Sequence, residues 1–232
     1  MTAILYPLYT MAHAALLVWG SRLWPRSRSL GLALLLLVGA ALVYDNLIIA
    51  IGRLLGEGSL LQSLNWPRFL FHALFTPLLL VTAVHQAGRA GLRWASSQIG
   101  QAAAWLVALG LILFGLIHDM VGITLTPTAY GGTLRYAAAA GGPPIPAIIT
   151  IIIIIIVGLL IWRPLRWPWM FVGAIIMFIG AAAPPSIVGP AVGSGVEIAL
   201  LAGLLATEKK LTEAQEEKAQ ENRSLHRHPS SV

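Results

Sequence analysis

The chain has 232 residues, of which 57% are hydrophobic and 10% charged, with a mean hydropathy of +0.80. So apolar a chain cannot turn a polar surface to water on all sides, which excludes a soluble globular domain and leaves a multi-pass membrane protein. Its formal charge of +6 does not mark a nucleic-acid partner: the last 25 residues carry five acids and five bases, and the excess is ten arginines against four acids in the apolar body, grouped at the ends of hydrophobic runs.

A hydrocarbon core of about 30 Å takes about 20 apolar residues of helix. Seven such stretches follow one another, at 3–23, 30–53, 68–88, 100–122, 145–162, 167–184 and 188–207. Backbone in lipid can satisfy its polar groups only internally, so each is predicted as helix and the fold class as all-α, a polytopic seven-transmembrane-helix bundle spanning 1–207. The first stretch lacks the basic leader of a cleaved signal and is read as a true span. The run "IITIIIIIIVG" (148–158) must be helical despite its β-branched residues, and is expected to face lipid. Residues 123–144, rich in glycine, proline and alanine, read as a flexible connector, with a lid over an outer opening as the alternative. Residues 208–232 turn hydrophilic and are expected to form a cytoplasmic tail with a disordered end. Its first half could prolong the last helix, although Glu213, Glu217 and Glu221 repel one another at i,i+4 spacing.

Basic charge alternates between the loops. Arg22, Arg26 and Arg28 follow the first stretch, Arg89 and Arg93 the third, Arg163 and Arg166 the fifth, and Lys209 and Lys210 the seventh, whereas the other side has only Arg53, Arg68 and Arg135. The positive-inside rule then places the N-terminus outside and the C-terminus in the cytoplasm. Trp24, Trp66, Trp94, Trp162, Trp167 and Trp169 fall near stretch ends, where interfacial anchors belong.

That orientation gives each polar residue a depth. Asp45 and Asn46 lie about two turns from the outer end of the second helix, with Arg53 beyond them. Arg68, His72 and Thr76 form one stripe at i+4 steps on the third, and His118 and Asp119 reach a matching depth on the fourth. Glu197 lies near the middle of the seventh, beside Gly193 and Ser194, small residues that permit close helix approach. The inner half carries almost nothing ionisable except His85 and residues at helix ends. An aspartate at a helix centre costs about 2.5 to 3.5 kcal/mol on insertion scales, so Asp45 needs an arginine or histidine of the third helix as partner. His13 reads as a packed, hydrogen-bonded residue of the first helix.

Three kinds of chemistry fit this set. The first is acid catalysis on a lipid or isoprenoid, with Glu197 or Asp45 as the acid and Asn46, Arg53, Arg68, His72, His118 and Asp119 binding and orienting the substrate. In size and in its two separated acids, Asp45 and Glu197, the chain is similar in architecture to the membrane-bound terpene cyclases of meroterpenoid pathways, which implies protonation-driven cyclisation; no residue motif accompanies that similarity. The second is metal-assisted hydrolysis through His72, His118, Asp119 and Asp45, ligand types that zinc accepts. Ceramidase-like seven-helix hydrolases also use histidine and aspartate, but the late helices here contain no histidine. Haem held by His72 and His118 is a variant of that reading. The third is a transporter or receptor binding an anionic small molecule through Arg53, Arg68 and His72. A cluster serving only as structural glue stands beside all three. There is no midspan lysine for retinal, no glycine-rich phosphate loop and no cysteine nucleophile; the residues leave the cofactor unknown, and the expected partners are membrane lipids and a lipid or isoprenoid small molecule.

Overall fold

In a computed structural model, which describes residues 2–139, 142, 144–183 and 189–227, the chain is a bundle of helices with one β-hairpin laid across one end. The elements in order are α1 (Thr2–Ser27), α2 (Leu30–Leu55), α3 (Ser59–Phe75), α4 (Leu78–Arg89), a single turn α5 (Arg93–Ser96) and α6 (Gln98–Gly115), which continues into a π-helical turn (Leu116–Met120). The hairpin strands β1 (Leu125–Tyr130) and β2 (Thr133–Ala138) follow, then α7 (Ile145–Leu165), α8 (Trp169–Ala182) and α9 (Ala191–Arg227). Six helices among the described residues are long and apolar enough to cross a membrane, the architecture of a multi-pass membrane protein. Of the seven predicted stretches, that of α8 is shorter in its described part. Its 14 residues span about 21 Å at 1.5 Å each, against a core of about 30 Å.

Two local features bend the frame. Pro77 has no N–H to give the carbonyl four residues back, so α3 and α4 meet at a break rather than forming one straight rod, and Leu79 N and Leu80 N close tight turns onto Thr76 O and Pro77 O. The break falls one turn beyond His72. The π-helical turn places His118 and Asp119 at the end of α6; π-helical turns of this kind often occur at functional sites.

The connector read from residues 123–144 is in fact ordered over most of its length. Leu125–Tyr130 pairs antiparallel with Thr133–Ala138 in the register Leu125 with Ala138 through Tyr130 with Thr133. The turn consists of Gly131 (φ 55°) and Gly132 (φ 87°), both left-handed, the combination that a tight two-residue hairpin needs. Tyr136 and Leu125 bury against Ile48 and Leu61, so the hairpin is fastened to α2 and α3.

A main core of Leu, Ala, Val and Ile side chains from α2, α4, α6, α7, α8 and α9 fills the bundle away from the hairpin. Close approach occurs where glycine permits it. A side chain at Gly158 would meet the backbone of Phe171 at 2.7 Å, and one at Gly173 would meet Ala199 O at 2.6 Å, so α8 lies tight between α7 and α9. A side chain at Gly193, expected to be such a contact point, would meet nothing within 4 Å among the described residues. The isoleucine run is also two-sided. Thr150, Ile151, Ile154 and Val157 are buried, while Ile149, Ile152 and Ile156 are exposed and form the lipid-directed face.

Candidate functional site

At the hairpin end, the Nε of Arg68 donates to Oδ1 of Asp45 at 2.8 Å, so the acid of α2 meets its partner on α3 as charge neutralisation requires. Arg68 Nη1 also donates to Oδ1 of Asn65 at 2.7 Å, and that oxygen accepts the backbone N–H of Tyr136 at 3.2 Å. Asn65 is buried and anchors its own amide on Leu61 O at 2.7 Å. The ion pair is therefore one link in a chain that joins α2, α3 and β2.

Beside this chain opens a chamber of about 880 Å³, lined by Asp45, Arg68, His72, His118 and Asp119 together with apolar residues of α3 and of the segment around the hairpin. His118 stacks on Phe114 at 5.2 Å between ring centroids, and its Nδ1 lies 3.0 Å from Asp119 Oδ1. Five of the eight candidate residues thus share one space. Asn46 and Arg53 do not line it: Asn46 is buried with its amide on Leu42 O at 2.9 Å, and Arg53 projects at the end of α2 near the hairpin turn.

Glu197 belongs to a second, narrower space of about 40 Å³. Its walls are apolar residues of α2, α4, α7, α8 and α9, and its polar groups are Glu197, Thr150, Thr76 and His72. His72 lines both spaces, standing between the chamber and the slot, with Thr76 Oγ1 3.3 Å from its Nδ1. Glu197 is within electrostatic reach of Asp45 and Arg68, but among the described residues no side chain or backbone group hydrogen-bonds to it. Nor do three or more His, Asp or Glu side chains among the described residues come together as a metal-binding group, which leaves the zinc arrangement of His72, His118, Asp119 and Asp45 without support.

Read from sequence, the inner half carries almost nothing ionisable except His85 and residues at helix ends, and a buried acid there is not foreseen. Glu208, read from sequence as the start of the tail, is fully buried at the opposite end of the bundle. It accepts from the hydroxyls of Ser27 and Ser29 at 2.5 Å each and from Gln86 Nε2 at 3.0 Å, and it pairs with Arg89, which reaches on to Gln215 at 2.8 Å. Its partners lie far away in sequence, so nothing near Glu208 in the chain announces them. Thr150 was missed as well. Its only signal is a lone hydroxyl inside an isoleucine run.

The chain matches no protein-family model, no curated protein and no solved structure. What the site can do is argued from its geometry.

Proposed function

We propose that the protein is a membrane-embedded enzyme that transfers a proton from Glu197 to an apolar substrate of lipid or isoprenoid class. The observation that carries this reading is the setting of Glu197: a carboxyl group at an apolar slot, free of structural partners among the described residues, with only His72 shared between that slot and a chamber large enough for a small amphiphile. In the proposed reaction the carboxyl O–H bond breaks and a C–H bond forms at one carbon of a substrate double bond, leaving a cation on the other carbon. Ring closure onto a second double bond only moves the cation to another carbon; loss of a neighbouring proton then quenches it, and that proton, returned to the carboxylate, restores the acid. Asp45, paired with Arg68, supplies negative potential nearby. His72, His118 and Asp119 contact the part of the substrate that stays in the chamber. In this reading α8 completes a seventh crossing, and the chamber opens to the side opposite the arginine-rich loops.

An anion transporter is less well supported by the same geometry. Of the three groups it needs, Arg53 stands outside the chamber and Arg68 is already paired with Asp45. The test is deuteron transfer. Purified protein in liposomes, given the lipid extract of the membrane in which it was made and incubated in D₂O, should yield a lipid carrying one non-exchangeable deuteron, and Glu197→Gln should yield none. A wild-type protein that places no deuterium on carbon overturns the proposal.

A further inference from the structure

Thr150 sits in the isoleucine run of α7, fully buried, and among the described residues its Oγ1 has no hydrogen-bond partner. A buried helical hydroxyl ordinarily turns back to the carbonyl four residues earlier. In this protein Thr82, Thr207 and Thr212, equally buried in their helices, all do so, at 3.2, 2.8 and 2.9 Å onto Leu78 O, Gly203 O and Glu208 O. Thr150 makes no such bond, and it lines the same slot as Glu197. A hydroxyl left unpaired in an apolar interior is costly, and its cost is removed by an acceptor that arrives in the slot.

We propose that Thr150 and Glu197 form an oxygen-reading subsite, which selects an apolar ligand carrying a single oxygen function, a carbonyl or an alcohol, at the end that enters the slot. This deepens the acid-enzyme reading and rests on it. Thr150 donates to the ligand oxygen, the slot of about 40 Å³ holds only the ligand's tip, and the chamber of about 880 Å³ holds its body, the two spaces meeting at His72. A pure hydrocarbon leaves Thr150 unpaired and is discriminated against; a hydrogen-bonding site rejects an analogue that lacks the bonding group because its own buried polar group is then stranded.

The test uses the full protein in lipid nanodiscs with two probes, the isoprenoid ketone geranylacetone and the hydrocarbon of the same skeleton. Wild type should bind the ketone more tightly than the hydrocarbon and lower its carbonyl stretching frequency. Thr150→Val, which keeps the shape and breaks no existing bond, should return that band to its position in lipid and weaken ketone binding about three- to tenfold without changing hydrocarbon binding. Thr150→Ser should restore both. An unshifted band in wild type, as when water fills the slot, overturns the subsite, and so does a shift that survives in Thr150→Val. Deuteron transfer, measured separately, tells the two proposals apart. A Thr150-dependent shift with no deuteron transfer by wild type removes the enzyme and leaves an oxygen-selective binding site, whereas transfer without the shift removes the subsite alone.

Discussion

Asp45 and Glu197 are both acids in apolar helices, yet they differ in what their removal leaves behind. Taking the charge from Asp45 strands Arg68, whose side chain is only 10% exposed, and disturbs the chain through Asn65 to the hairpin backbone. Breaking a buried ion pair on one side costs about 3 to 5 kcal/mol, and less where a chamber admits water to the survivor. Asp45→Asn and Arg68→Met should therefore each lower the melting temperature, and the double variant should lose less than the sum, with a coupling of about 0.5 to 3 kcal/mol by a double-mutant cycle. Glu197→Gln strands nothing. Its melting temperature, read by tryptophan fluorescence in detergent, should stay within about 2 °C of wild type, corresponding to less than about 0.5 kcal/mol. A large loss of stability in Glu197→Gln would make that residue structural glue as well. The Asp45 to Arg68 contact was legible in the sequence because a short turn separates their helices and counting turns from either side brings them to one depth. Thr150 was not, because a threonine in an apolar helix normally satisfies itself and only the coordinates show that this one does not.

At the scale of elements, α9 and the hairpin show where sequence pattern falls short. Judged by its own i,i+4 charges, the polar half of α9 has little reason to be helical, yet it continues to Arg227. The reason is tertiary. Leu211 and Thr212 are buried, Arg26 pairs with Glu216, and Glu208 is held by α1, α2 and α4. None of these partners is within reach of a local reading, so Glu208 looked like the first residue of a tail. Its network has a measurable consequence. Glu208→Ala removes the only described ion-pair partner of Arg89 and takes an acceptor from Ser27, Ser29 and Gln86, which should cost about 3 to 5 kcal/mol. Limited proteolysis should then cut within residues 209–227 in the variant and not in wild type; equal resistance would mean that packing of α9 alone holds the segment. The hairpin, by contrast, did carry a local signal. Two adjacent glycines lie between "TLTPTAY" and "TLRYAA", segments that pair as strands, but the surrounding alanine, glycine and proline gave the whole stretch the composition of a linker.

The molecule as a whole is polar at both ends and dry between them. The chamber and slot reach inward from the hairpin end as far as Leu200 and Leu201, and Leu204 and Leu205 continue that seal toward Glu208. Both described spaces lie on the hairpin side of these leucines, which suits a closed reaction or binding site better than a conduit. Which side that is follows from charge. Arg26, Arg28, Arg89, Arg93, Arg163 and Arg166 gather at the end away from the hairpin, and the orientation we propose, by the positive-inside rule, has that end in the cytoplasm. Because the chain has no cysteine, single introduced thiols can test this without background. Ala129 on the hairpin and Ser96 at the opposite end are both exposed, so either tolerates substitution without loss of core contacts. In intact cells, Ala129→Cys should react with a membrane-impermeant maleimide, whereas Ser96→Cys should react only after the membrane is opened. The reverse pattern would turn the chamber toward the cytoplasm, and any substrate would then have to come from that side.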